Sequence, residues 1–279
     1  MLLKLFKHEM RSLWHYCGIV VICVIVASIV FNLGMTATIL INNDNFTFVS
    51  APMLIFLGFC ICSVLGLGIK FGIAFRFYRS MASDEGYLTH TLPVTVGQNV
   101  TAKLLAASVY NIGAVLFLLV FIVGSVAIAF IAGGDTAFIP QMLKDMSAAY
   151  AEFRKVLVLP MPVYVLEWTV FGIVGLIFSI LVIYISVALG QLMKSHKLIW
   201  AVVYYMIITF VLQFITQIIS LIMSFTTGIT VPFITSLSNM QVIFVIQAII
   251  IVALLVTVGL SAIAYAVVKH IFERKLNLE

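Results

Sequence analysis

Side chains that could do chemistry are few in this chain and lie far apart. The five histidines, in separate polar segments, form no His-Glu-x-x-His sequence that would bind zinc. Gly66-Leu67-Gly68-Ile69-Lys70 imitates part of a phosphate-binding loop, but it lies inside an apolar run. We therefore predict a chain that is not an enzyme, with no catalytic residue, no cofactor and no metal site of its own.

Two acidic residues and several aromatic and aliphatic ones cluster in a polar segment over residues 76–93. Ser83 is suited to cap a short helix, and Asp84 and Glu85 would lie in its first turn, where the helix dipole favours anions. Pro93 disfavours helix at the residue before it. The segment predicts a helix of about two turns with one face formed by four residues: Tyr87, Leu88, Thr91 and Leu92.

Such a helix between two apolar segments is suited to contact a partner protein. It is equally compatible with an interfacial turn that packs only on its own domain. After it, Thr95 and Gln98 have the spacing of a capping box, which predicts the start of the next helix.

A stripe of polar side chains marks one face of a later apolar helix. Their spacing of three or four residues places them on one side. They either hydrogen-bond neighbouring helices or line a route for an amphipathic substrate. The polar stripe consists of Thr209, Gln213, Thr216, Gln217, Ser220 and Ser224.

The elements that position these residues are transmembrane helices. Hydrophobic residues make up 64% of the 279 and charged residues only 9%, far from the composition of soluble domains. A membrane span needs about 20 mostly apolar residues. We predict an all-α membrane protein, a single transmembrane domain over residues 1–279, with six spans near residues 16–40, 53–75, 103–132, 163–190, 198–223 and 242–268.

The distribution of lysine and arginine predicts the orientation of the six spans. With the N-terminus in the cytoplasm, twelve of the fifteen basic residues fall on the cytoplasmic side, as the positive-inside rule requires. Only Lys144, Arg154 and Lys155 would lie outside. Both termini are therefore predicted to be cytoplasmic, with a cytoplasmic loop at 76–103 and an extracellular loop at 133–162.

Two amphipathic stretches flank or join the spans. Residues 1–15 predict a helix that lies in the membrane interface and then turns into the first span; a straight extension of that span is the alternative. In the outer loop, apolar residues spaced by three or four, from Phe138 to Leu157, predict a second amphipathic helix. It would rest on the outer surface, cover an exit or merely bridge two spans.

Three residues inside the apolar runs have a structural interpretation. Gly68 and Gly72 form Gly-x-x-x-Gly, which permits close helix approach. Glu167 lies near the outer start of the fourth span, where solvation at the interface is the favoured explanation of its charge. A proton-coupled carrier is therefore poorly supported.

Several short sequences together resemble permease subunits of type-2 ABC transporters from Gram-positive bacteria. The resemblance is carried by Leu5-Phe6-Lys7-His8-Glu9-Met10-Arg11, Arg76-Phe77-Tyr78, Asp84-Glu85-Gly86-Tyr87-Leu88-Thr89, Thr91-Leu92-Pro93 and Lys103-Leu104-Leu105. Its sequence-specific part covers about the first 105 residues, and the layout of six spans agrees with it.

The resemblance implies a function and a set of partners. Residues 1–15 would be a connecting helix along the inner leaflet of the bacterial cytoplasmic membrane. Residues 84–92, including Gly86, would be a coupling helix that docks on a separate ATPase, which binds ATP and magnesium and is present in two copies. A second permease, identical or related, would complete an exporter for a peptide, lipid-like or drug-like amphiphile. A sensor or immunity component that binds antimicrobial peptides, or an ATP-independent carrier or channel, is the alternative.

Overall fold

Seven long α-helices account for almost all of the residues that the structure describes. The structure is a computed structural model, and it describes residues 2–41, 44–82, 95–133, 138–156, 160–193, 195–236 and 239–274. The helices are α1 (Leu2–Ile41), α2 (Asp44–Ala82), α3 (Val96–Ala132), α4 (Phe138–Val156), α5 (Met161–Gly190), α6 (Lys197–Ser236) and α7 (Asn239–Arg274).

All helices except α4 are long and apolar enough to cross a membrane. These six correspond one to one to the predicted spans, and the all-α membrane fold is confirmed. Several helices extend well beyond a span of about 20 residues. Part of the segment predicted as a loop over residues 76–103 is helical, because α2 continues to Ala82 and α3 already begins at Val96.

The N-terminal amphipathic stretch does not form a separate helix. Residues 2–41 make one uninterrupted helix of 40 residues, about 60 Å long, as in the alternative of a straight extension. Within the stretch Leu3 is 79% exposed and Trp14 53% exposed, whereas the carboxylate residue Glu9 is buried. The buried side of this segment is formed by Glu9, Leu13 and Cys17, which are spaced by four.

The described residues divide into two compact units. Unit 1 comprises residues 1–76 and 105–150, and unit 2 comprises residues 77–104 and 151–279. The boundary between them falls within α2, α3 and α4. Each unit is described separately below.

In unit 1 the Gly-x-x-x-Gly sequence is the contact between α1 and α2. A Cβ atom added at Gly68 would lie 2.7 Å from the side chain of Val20, and one at Gly72 would lie 3.0 Å from the sulfur of Cys17. The first distance is shorter than real Cβ contacts and the second is tighter than most of them, so a side chain at either glycine would push the neighbouring side chain of α1 away. The prediction that the motif brings two helices together is confirmed.

A buried ion pair joins the same two helices. Nε of Arg76 lies 3.6 Å from Oε2 of Glu9, with both side chains almost fully buried. On the third helix of the unit, the hydroxyl of Tyr110 donates a hydrogen bond to the carbonyl of Met10, 3.0 Å away. Charged pairs of this kind are expensive to separate once buried, since breaking one leaves an uncompensated charge.

In unit 2 helix α5 packs against both α6 and α7. The turn from α5 to α6 is tight, because a Cβ at Gly190 would come within 2.7 Å of the backbone nitrogen of Ala201. His196, in that turn, has a φ of 50°, a left-handed conformation that is uncommon outside glycine. The carbonyl of His196 then accepts a hydrogen bond from the amide of Trp200 in the first turn of α6.

Helix α4 lies in the segment for which an amphipathic helix of an outer loop is predicted. It spans Phe138–Val156, and almost all of its described side chains are exposed. Leu143 and Met146 are 59% and 60% exposed. Its apolar face is therefore not covered by the described part of this chain.

Candidate functional site

The two helix ends that flank the loop between α2 and α3 are among the best-packed parts of unit 2. We call residues 77–82 and 95–103 the loop anchors. Phe77, in the first anchor, stacks on Tyr184 of α5 with ring centroids 3.7 Å apart and planes 9° apart. Phe272 of α7 meets the same ring edge-on at 5.7 Å. All three aromatic residues are buried, so the end of α2 is fixed against two other helices.

The two anchors also contact each other and the last helix. The side-chain amide of Asn99 donates to the sulfur of Met81 at 3.3 Å, and both residues are buried. The hydroxyl of Tyr265 on α7 donates to the carbonyl of Gly97 at 3.2 Å. Residues on either side of the loop are thus held in one cluster.

The second anchor begins with the capping box that the sequence predicts. The amide of Gln98 donates to Oγ1 of Thr95 at 3.3 Å, and the amide of Thr95 donates to Oε1 of Gln98 at 3.4 Å. Each side chain satisfies a backbone donor that the helix leaves unpaired. The prediction that α3 starts here is confirmed.

The predicted partner-binding residues themselves lie outside the described residues. These are the residues of the loop between the anchors: Asp84, Glu85, Gly86, Tyr87, Leu88, Thr91 and Leu92. Their contact with a partner stays a prediction. What the structure provides is the geometry of both ends of the loop.

The polar stripe lies on an exposed face of α6. Gln213, Thr216, Gln217 and Ser220 are exposed, and Thr209 is partly exposed. The hydroxyl of Thr209 donates to the carbonyl of Tyr205 at 2.7 Å, and that of Thr216 to the carbonyl of Gln213 at 2.8 Å.

These bonds stay within the helix, so the described contacts do not include the interhelical bonds that the first interpretation of the stripe requires. Amide side chains on a membrane helix avoid hydrocarbon. A second chain or an aqueous route beside α6 would solvate these amides. Ser224, the last residue of the stripe, has no described side chain.

Glu167 has a partner that the sequence did not suggest. Its Oε2 accepts a hydrogen bond from Nε2 of Gln247 on α7, 2.5 Å away, and both side chains are partly buried. Solvation at the interface alone does not describe this carboxylate. The pair joins α5 and α7 of unit 2 by a charge-assisted hydrogen bond, which is stronger than a neutral one.

Other acidic and sulfur-containing side chains do not converge. Among the described residues no three of His, Cys, Asp and Glu lie close enough to hold a metal ion. The four cysteines are free thiols.

The contacts between helices that the sequence did not predict join residues far apart along the chain. Phe77 and Tyr184, like Glu167 and Gln247, belong to different helices and form no local pattern. The one sequence signal was the presence of Phe77 in Arg76-Phe77-Tyr78, which carries part of the resemblance. Searches for relatives add no constraint, since no family model, no curated protein and no solved structure matches the chain.

Proposed function

We propose that the chain is the membrane subunit of an ATP-driven exporter, coupled to a separate ATPase through the loop between α2 and α3. The observation that supports the proposal best is the packing of the loop anchors. Through Phe77 and Gly97 both ends of the loop are joined to α5 and α7, and Asn99 joins the two ends to each other through Met81. A displacement of the loop would therefore be passed to spanning helices of unit 2 rather than absorbed at a flexible joint.

The polar stripe gives the proposal a second support. A permease that pairs with a second permease needs a face that is more polar than a lipid-facing surface and that its own helices do not cover. The exposed amides of Gln213 and Gln217 have that character. The substrate class that suits such a route is an amphiphile, because the surrounding residues of α6 are apolar. The orientation, with the loop in the cytoplasm of a bacterial cell, belongs to the same proposal.

Photo-crosslinking tests the proposal at the loop. A benzophenone amino acid is placed at Tyr87, in the loop, and at Tyr150 of α4, which is predicted to lie on the opposite side of the membrane. Illumination of intact cells should join the Tyr87 variant to a polypeptide that contains Gly-x-x-x-x-Gly-Lys-Ser or Gly-x-x-x-x-Gly-Lys-Thr, identified by mass spectrometry. The Tyr150 variant should not capture it.

Two outcomes would contradict the proposal. One is the absence of any nucleotide-binding protein from the adducts of Tyr87, Leu88 and Leu92 alike. The other is equal capture at Tyr150. Because tyrosine occupies both positions, the same photoreactive residue replaces the same side chain in the test and in the control.

A further inference from the structure

An apolar cavity of about 240 Å³ lies among the three long helices of unit 1. Its floor consists of the buried residues Leu65 and Ile69 of α2 and Ala114 of α3, and its rim includes Trp14 of α1 and Phe117 of α3. The cavity is partly open to the surroundings. An enclosed apolar cavity of about 150 Å³ already takes a benzene molecule, so this one has room for a segment of hydrocarbon.

The lining of the cavity excludes water and small polar ligands. Its polar groups are the indole N–H of Trp14 and the hydroxyl of Tyr110, which is already bonded to the carbonyl of Met10. A bound water needs two to four polar partners. A cavity of this kind in a membrane helix bundle is filled by hydrocarbon, either from a lipid chain or from another apolar molecule.

A stripe of residues on α1 indicates which kind of molecule supplies the hydrocarbon in this cavity. Lys7, Arg11, Trp14, Gly18 and Val21 follow one another at spacings of four and three, so they lie along one face of the helix. Trp14 and Val21 line the cavity, while Lys7 and Arg11 are exposed and continue the same face toward the N-terminus. Long side chains on a helix lean toward its N-terminus, away from the cavity and toward the membrane surface.

The electrostatic balance at this end of α1 is positive. The acidic residue nearest to Lys7 and Arg11 in sequence, Glu9, is buried against Arg76 and is not exposed beside them. Tryptophan is enriched where hydrocarbon meets headgroups, and Trp14 stands between the two cations and the cavity. The face thus has three zones: two cations, an interfacial aromatic ring and an apolar slot. They follow the same order as the headgroup, the interfacial region and the acyl chain of a lipid molecule.

We propose that this cavity binds one acyl chain of an anionic phospholipid, whose phosphate contacts Lys7 and Arg11. Basic pockets between membrane helices on the cytoplasmic side recognise anionic headgroups, and here the pocket continues into an apolar slot. The headgroup lies in the leaflet nearest to the N-terminus. The proposal does not depend on the function proposed above, since it uses only unit 1.

A pair of glycines on α3 supplies a matched test. A Cβ atom added at Gly113 would meet nothing within 4 Å, and Gly113 lines the cavity; a Cβ atom added at Gly124 also meets nothing, but Gly124 does not line it. Gly113→Leu should place its side chain in the slot. Gly124→Leu adds the same side chain to the same helix elsewhere.

The measurement is lipid binding by the purified full-length chain in detergent, followed by native mass spectrometry. Dioleoyl-phosphatidylglycerol and dioleoyl-phosphatidylcholine are the two probes. The wild-type chain and Gly124→Leu should retain one phosphatidylglycerol per chain, in preference to phosphatidylcholine. Gly113→Leu should bind it at least about tenfold more weakly, because several methylene groups lose their buried site.

A second pair of variants removes charge without touching the cavity. Lys7→Gln with Arg11→Gln should weaken phosphatidylglycerol binding by about fivefold for each cation removed and leave phosphatidylcholine binding unchanged. Lys144→Gln with Arg154→Gln, on α4, removes the same number of exposed cations and should have no effect.

Three results would overturn the proposal. They are equal retention of phosphatidylglycerol by Gly113→Leu and wild type, equal affinity of the wild type for the two lipids, and equal effects of the two double charge variants. If Gly113→Leu fails to fold, the two charge variants still decide the outcome. A slot filled instead by a neutral amphiphile would show itself as equal affinity for the two lipids.

Discussion

The loop anchors and the polar stripe belong to the same unit, yet their environments are opposite. In the anchors, Phe77, Met81 and Asn99 are buried and joined to other helices, including α5 and α7. On the stripe, Gln213 and Gln217 project from α6 with no described contact to another helix. A function that transmits movement from one helix to another needs buried contacts such as those of the loop anchors. A function that depends on binding a partner or a ligand needs an exposed surface such as the polar stripe.

The largest difference between the two regions should appear in stability. Phe77→Ala removes a buried ring that touches Tyr184 and Phe272, and it should lower the free energy of unfolding by about 3–5 kcal/mol. Phe214→Ala, at a ring that is 59% exposed on the helix of the stripe, should change it by less than about 0.5 kcal/mol. Thermal unfolding of both variants in detergent checks this. Similar losses for the two would remove the distinction between the regions.

A smaller effect is expected where the second anchor begins. Thr95→Ala removes the hydroxyl that accepts from the amide of Gln98, and loss of such a cap costs about 1 kcal/mol. Hydrogen exchange should show faster exchange at the start of α3 in this variant. Thr216→Ala is the control, since its hydroxyl only bonds a carbonyl of its own helix. Unchanged exchange at Gln98 would show that the cap does not hold the anchor.

The smallest effect on stability, but the sharpest on function, is expected at the stripe. Gln213→Leu with Gln217→Leu should change the unfolding free energy by less than about 0.5 kcal/mol, because both side chains are exposed. The variant should nevertheless lose resistance to those amphiphiles that become more toxic when the chain is deleted. Ile218→Leu with Ile219→Leu, on exposed apolar positions of the same helix, should keep that resistance.

Wild-type resistance and normal assembly in the glutamine variant would end the assignment of the stripe to a substrate route. Loss of resistance together with loss of pairing between two tagged copies of the chain would instead assign the stripe to a permease interface.

Local patterns predicted the elements of this molecule well. Six apolar runs predicted the six helices that are long enough to span a membrane. The spacing of Thr95 and Gln98 predicted the start of α3, and the spacing of apolar residues predicted α4. Gly68 and Gly72 gave a close helix contact because the motif needs only a neighbouring helix of any sequence. In each case the physical cause lies within one continuous segment of the chain.

Contacts between helices could not be predicted in the same way. Glu9 with Arg76, Phe77 with Tyr184, and Glu167 with Gln247 each join residues more than sixty positions apart. Nothing in the local sequence of one partner specifies the other. The N-terminal stretch shows the same limit, since its helical periodicity was evident but the burial of Glu9 depends on Arg76.

The glycine contact between α1 and α2 makes Cys17 a built-in probe of whether these two helices separate. Its sulfur lies against Gly72, and the residue has no exposed surface, so a maleimide reagent can reach the thiol only when the two helices part. Cys23, six residues further along α1, is exposed and provides an internal reference for reagent access. The ratio of the two labelling rates would time the opening of unit 1 in unmodified protein, without a fluorophore or a spin label.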